Sequence, residues 1–199
     1  ARGSALRNAP VTVTSGSLLA GDELVATATG SATNVSDTAE GNNPIAAGYK
    51  IMHGETDVTA NYVITPVAGT LEINAREVTV SVADKTVTYT GSEQSGNTEY
   101  TFSNVVSGQT ATITYTPSKG TLPATYDNGA YTANSFKVED SNGTDVTSNY
   151  TLGTQTAGKL TIENASVAIT ITAASDSKTY DGEALTNREV RGEGGAVAG

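Results

Sequence analysis

The segment DVTANY at residues 57–62 returns as DVTSNY at residues 145–150, and the likeness extends into both neighbourhoods. Gly69, Leu71 and Ile73 match Gly158, Leu160 and Ile162. Further on, Val78, Val80 and Val82 match Val167, Ile169 and Ile171, and YTG at residues 89–91 matches YDG at residues 180–182. Upstream, Tyr49, Lys50 and Ile51 match Phe136, Lys137 and Val138, and LAGD at residues 19–22 matches VSGQ at residues 106–109. A period of about 90 residues belongs to an array of small domains, since solenoid units run to ~20–50 residues. Any unit that forms must therefore form again from the same pattern.

The ends of the chain share this register. Ala5, Leu6 and Asn8 match Ala184, Leu185 and Asn187, and Ala20-Gly21 matches Ala198-Gly199. Residues 1–74 then read as the later part of a first repeat, 75–164 as a complete repeat, and 165–199 as the opening strands of a third. Those opening strands are of the kind that residues 1–74 lack. A start at Ala1 without Met predicts a processed chain or a fragment.

Periodicity predicts strands nearly throughout. Val78, Val80 and Val82 alternate with Thr79 and Ser81, and SVAITIT at residues 166–172 repeats the alternation, so each stretch is expected to bury one face. Further strands are expected over 85–90, 98–103, 111–116, 134–139 and 159–163, with SNG (141–143) and DNG (127–129) as turns of positive φ. Six or seven short strands in about 90 residues predict an all-β chain of tandem small β-sandwich domains, Ig-like or a related β-rich fold. The expected core is Val78, Val80, Val82, Tyr100, Phe102, Ile113, Tyr115, Phe136, Val138, Tyr150, Leu160 and Ile162.

Composition narrows the classes of function. A net charge of −10 with only 11 scattered Lys and Arg residues argues against nucleic acid, which is bound by clustered cations that displace counterions. There is no Cys, so disulfides and thiolate chemistry are out of reach. No apolar run approaches the ~18–20 residues of a membrane-spanning helix. His53, the only His, sits beside Gly54 in an expected turn and reads as a solvated residue, and no GxSxG or Ser-Lys motif occurs. The chain is not expected to be an enzyme, and no cofactor is expected beyond a weak calcium candidate.

That candidate is DSNGTD, with Asp140, Asn142 and Asp145 as oxygen ligands. It lacks the distal Glu of an EF-hand loop, and a plain hairpin turn accounts for the same residues. In the repeated motifs, Asp57 and Asp145 are expected to bond turn N–H groups beside Asn61 and Asn149. Tyr62 and Tyr150 are expected to bury their rings, and Tyr89 and Tyr180 precede turns supplied by Gly91 and Gly182. Lys50 and Lys137 fall on the outward parity of their strands, which argues against spontaneous Lys–Asn crosslinks. Sugar stacking would fall to Tyr126 and Tyr131, the tyrosines least committed to the interior.

KTYDGEALTN at 178–187, VTVTSGSLLAGDEL at 11–24 and DVTxNYxI…GTLxI across 57–73 together resemble the YDG/MBG-type repeats of large bacterial surface proteins and adhesins. The resemblance covers essentially the whole chain. It implies an extracellular tandem repeat at the cell surface or cell wall, serving as stalk or adhesive array, with no catalytic residues to carry over. The second repeat departs from it with YTG at residues 89–91, and the final REVRGEGGAVAG is richer in Gly and charge than its N-terminal counterpart. The partners expected are neighbouring repeats or identical subunits. An adhesive or carbohydrate-binding module, and a subunit that assembles head to tail by strand complementation, are the two alternative readings.

Overall fold

The computed structural model describes residues 10–188 and, as backbone, 190–194. The matches placed on Ala5, Leu6, Asn8 and Ala198-Gly199 lie outside the described residues. The described residues form a β-rich fold of small sheets with no α-helix, and no helix is long and apolar enough to cross a membrane. The chain divides into two compact units, Ala1–Glu77 with Val146–Thr151, and Val78–Asp145 with Leu152–Gly199.

In the first unit, β1 (Asp22–Val25), β2 (Lys50–His53) and β3 (Thr56–Asp57) form an antiparallel sheet in that order. Asp22 lies opposite His53 and Leu24 opposite Ile51. Ile51 is the buried apolar residue here, as the inward parity of Tyr49 and Ile51 predicts. The GTLEI segment lies along residues 38–43. Asn43 and Gly69 exchange backbone hydrogen bonds, Leu71 N–H donates to Asn42 Oδ1 (2.6 Å), and Ile73 N–H donates to Thr38 Oγ1 (2.8 Å).

The second unit opens with the end of β4 (Arg76–Val82) and continues through β5 (Lys85–Thr88), β6 (Gln94–Ser95), β7 (Tyr100–Ser103) and β8 (Thr110–Thr112). Then come β9 (Tyr115–Thr116), β10 (Lys119–Gly120), β11 (Ala124–Tyr126), β12 (Ala130–Tyr131) and β13 (Lys137–Glu139). β14 (Tyr150–Thr156), β15 (Leu160–Glu163), β16 (Ile169–Ala173) and β17 (Val190–Gly194) complete the series. Two three-stranded sheets, β14-β4-β7 and β11-β15-β5, frame the middle repeat, and β15 and β5 run parallel.

Alternation built this core as expected. Val78, Val80 and Val82 are 0, 1 and 4% exposed, and Ile113, Val138, Leu160 and Ile162 are buried with them. Each such side chain contributes about 1.5–3 kcal/mol by leaving water. Tyr100, Phe102, Tyr115 and Phe136 are only half-buried. The first two meet edge to face at 5.6 Å between centroids, and Phe102 lies 5.7 Å from Phe136, so these rings line the margin of the core.

Two expectations fail. Ile169 and Ile171 were to face inward, yet they are 66 and 68% exposed, because β16 pairs with β17 and no second sheet of described residues lies over them. Gly129 of DNG was to supply a positive φ. Instead it is a point of close approach, where an added Cβ would lie 2.5 Å from Tyr115 Oη and 3.0 Å from Ser118 N. The SNG turn does hold its glycine at a φ of 79°.

The repeat itself is visible in the pairing. Leu24 opposite Ile51 becomes Ala111 opposite Val138, Val25 opposite Lys50 becomes Thr112 opposite Lys137, and the turn bond Asp22 N–H to Leu19 C=O becomes Gln109 N–H to Val106 C=O. Each of these matched positions keeps its partner.

Candidate functional site

The DVTxNY segments are turns built from side-chain oxygens. Asp57 Oδ1 accepts from Thr59 N–H (3.0 Å) and the Thr59 hydroxyl (2.6 Å), and Thr59 Oγ1 in turn accepts Ile51 N–H (2.9 Å). The motif therefore pins β2 as well as shaping its own turn. Hydrogen bonds from Thr59, with Lys50 at 3.3 Å, hold the Asp57 carboxyl below its ordinary range. A single 3-10 turn comes next in each repeat, at Thr59–Asn61 and Thr147–Asn149, with matching backbone angles at Val58 and Val146. Asp145 bridges to Glu139 across the SNG hairpin.

The two asparagines of the motif differ. Asn61 is exposed. In the first unit, which includes Val146–Thr151, Asn149 Nδ2 donates to Asn34 Oδ1 (2.9 Å) and its Oδ1 accepts Val35 N–H (2.8 Å).

Tyr62 belongs to a cluster that the sequence concealed. Its hydroxyl donates to Asp22 Oδ2 (2.5 Å) and accepts Leu19 N–H (3.0 Å), while His53 Nδ1 lies 2.6 Å from Asp22 Oδ1. The Asp22 side chain is 7% exposed. The Tyr62 hydrogen bond first, and His53 second, hold its carboxyl below the ordinary carboxylate value of 3.8, and the same bond raises the Tyr62 phenol. His53, read from sequence as merely solvated, is thus paired across β1 and β2. Only the register that sets Asp22 opposite His53 brings them together. Tyr62 and His53 Nδ1 meet on one carboxylate, and through the Tyr62 hydroxyl the cluster holds the Leu19 N–H at its turn.

Buried polar locks were also missed. Ser118 Oγ donates to Gly158 C=O (2.8 Å) and accepts Gly129 N–H (2.9 Å). Asn43 does the matching work in the first unit, accepting Gly30 N–H at Oδ1 (3.0 Å) beside its backbone exchange with Gly69. Gly69 and Gly158 are matched positions, but Gly69 is held by the backbone of Asn43 and Gly158 by the hydroxyl of Ser118. Repetition of the two glycines was the signal for this joint; the unlike residues that fill it hid the signal.

The YxG turns agree in geometry. Gly91 and Gly182 hold φ at 88° and 85°. Thr90 Oγ1 accepts Ser92 N–H (3.4 Å), and Asp181 Oδ1 accepts Glu183 N–H (3.0 Å), so YTG performs the turn of YDG with a hydroxyl in place of a carboxylate. Tyr89 is half-buried and its N–H donates to Glu163 C=O, whereas Tyr180 is exposed.

In DSNGTD, Asp140 turns one carboxylate oxygen inward on the loop. Asp140 Oδ1 accepts Thr144 N–H (2.8 Å) and Asn142 N–H (2.9 Å), which hold its carboxyl low, and Asn142 and Asp145 are exposed. Among the described residues no group of three or more His, Cys, Asp or Glu side chains converges. Tyr126 bonds Leu122 through its hydroxyl and lies where a Cβ on Gly120 would be, and Tyr131 donates to Thr156 C=O and packs 4.8 Å from Tyr115. Both rings are half-buried in structural contacts. Lys50 and Lys137 are exposed, each beside an acid, Asp57 and Glu139. A shallow groove along β11 and β15 is lined by Pro123, Thr125, Thr161 and Glu163 among others, with Glu163 its one titratable group.

The chain matches no family model, no curated protein and no solved structure.

Proposed function

We propose that this chain is a structural repeat module of a bacterial extracellular surface protein, in which tandem small β-sandwich domains act as a stalk or fibre segment. The observation that carries the reading is the residue-by-residue return of strand register and turn chemistry from one repeat to the next, in β1–β2 and β8–β13 and in the two DVTxNY turns. Evolution of an enzyme or receptor preserves a site; here what recurs is scaffold, and the polar groups that do converge are occupied in holding turns. The likeness of the motifs to YDG/MBG-type repeats supports the surface location. The occupied hydroxyls of Tyr126 and Tyr131 weigh against a sugar platform at those rings.

Antibodies raised against the 199-residue chain should label intact source cells, and brief protease treatment of those cells should remove the label. A panel of glycans and matrix proteins should give no binding to the purified chain. Labelling only after lysis would overturn the surface location, and saturable binding to one ligand would overturn the purely structural role.

A further inference from the structure

Asn-Gly occurs twice in the chain, at Asn128-Gly129 and at Asn142-Gly143. The pair carries chemistry of its own, because glycine has no Cβ to keep its backbone nitrogen away from the side-chain carbonyl of the asparagine before it. When that nitrogen reaches Cγ, a new N–C bond closes a five-membered succinimide ring. The bond from Cγ to the side-chain nitrogen breaks, and that nitrogen leaves as ammonia with the proton the backbone nitrogen has shed. Solvent water then opens the ring at either carbonyl, leaving an aspartyl or an isoaspartyl residue. No electrons change hands, and water is the only other reactant.

The fold treats the two pairs in opposite ways. Asn128 is tied at both ends of its amide to β10: Oδ1 accepts Lys119 N–H (2.8 Å) and Nδ2 donates to Lys119 C=O (3.1 Å). Gly129 N–H, the nucleophile of this pair, donates to Ser118 Oγ (2.9 Å), and Ser118 is fully buried. Bringing Cγ onto that nitrogen means opening all three bonds and lifting the chain from its close approach to Tyr115 and Ser118.

Asn142-Gly143 sits at the tip of the hairpin that follows β13. Both residues are exposed, and a Cβ added at Gly143 would meet no atom within 4 Å. Gly143 N–H donates to Asp140 C=O (3.0 Å), and the Asn142 side chain leans on the Asp140 carboxylate of the same turn. Loosening one short turn in solvent is enough to free the nucleophile.

We propose that Asn142 is a site of spontaneous modification, deamidated through a succinimide formed with Gly143, and that the ties to Lys119 and Ser118 protect Asn128 from the same reaction. The product places a new carboxylate in the turn that already holds Asp140 and Asp145. The isoaspartyl form also lengthens the main chain by a methylene inside the ring of bonds that closes this turn, Asp140 N–H to Thr144 C=O (2.9 Å) and Thr144 N–H to Asp140 Oδ1 (2.8 Å). The hairpin that leads into DVTSNY is therefore altered as the molecule ages. The matched turn of the first repeat reads HGET at residues 53–56 and has no asparagine to react, so age marks one repeat and spares the other. This goes beyond the structural-module reading and does not depend on it.

The test holds the purified chain in mildly alkaline buffer and weighs its separated peptides over time. The peptide containing Asn142 should gain about 1 Da and split into two chromatographic forms. Its rate should exceed that of the peptide containing Asn128 at least about tenfold in the folded chain. In urea both pairs lose their partners, and the two rates should converge. Asn142→Gln, whose longer side chain must close a less favourable six-membered ring, should abolish the gain at that peptide and leave the urea transition where it was. Equal rates at the two asparagines in the folded chain would overturn the proposal. So would a folded chain that stays unchanged at Asn142 while the urea-treated chain reacts there, or a difference of about tenfold that persists in urea.

Discussion

β4 and β16 carry matching alternations of Val and Ile, yet β4 buries its three valines while β16 leaves both isoleucines in water. The strands differ less in their own residues than in the described residues that pack on them. Leu160 and Ile162 of β15 lie in the same core as the β4 valines, whereas among the described residues β16 pairs only with β17. Alternation therefore specifies which side of a strand is apolar, while burial depends on a second sheet arriving. The same contrast separates Leu71 and Ile73, half-buried, from Leu160 and Ile162, buried, although their GTLEI and GKLTI sequences are nearly alike.

The largest effect that would sharpen this contrast is at the enclosed leucine. Leu160→Ala should cost the middle repeat about 3 kcal/mol through lost transfer energy and a cavity. Leu71→Ala, half-buried already, should cost under about 1.5 kcal/mol. Urea denaturation of the two variants measures both, and equal losses would break the comparison. Next, Val80→Ala should cost about 2 kcal/mol and Ile169→Ala less than about 0.5 kcal/mol in the monomeric chain.

A smaller loss is expected at the polar joint. Ser118→Ala leaves Gly129 N–H and Gly158 C=O without their buried partner and should cost about 1–2 kcal/mol, read as a shift in the same urea midpoint. The smallest effect is one of pH. Asp22 ionises more readily in the folded chain, so its stabilising contribution is complete above the ordinary carboxylate value of 3.8 and disappears as pH falls through the lower folded value. Tyr62→Phe removes the main cause of that shift. Acid unfolding of the first unit should begin at a higher pH, and Leu19 N–H should exchange faster by NMR, because it loses its acceptor.

Much of the strand pattern was legible, because alternation survives wherever one face meets the core: the alternation across Val78, Val80 and Val82 and the expected strands at 98–103 and 159–163 correspond to β4, β7 and β15. Short strands such as β6, β10 and β12 were not, since two residues carry no period. The parallel placement of β5 on β15 was equally hidden, because alternation is indifferent to strand direction. At the candidate site, the turn role of Asp57 was readable from its position two residues before Thr59. The Asp22–His53 pair was not, because it depends on the register across a long loop. Ser118 and Asn43 escaped notice for a different reason: in a chain rich in Ser, Thr and Asn, one buried hydroxyl or amide looks like all the exposed ones.

The parallel pairing of β5 with β15 has a mechanical consequence. The chain enters this pair at Lys85 and leaves it at Glu163, which lie at opposite ends of the ladder because the two strands run the same way. Tension between those points pulls the strands lengthwise past each other, in shear, so the ladder's hydrogen bonds bear the force together and must yield together. Antiparallel neighbours such as β13 and β8, pulled from one end, would instead peel open one bond at a time.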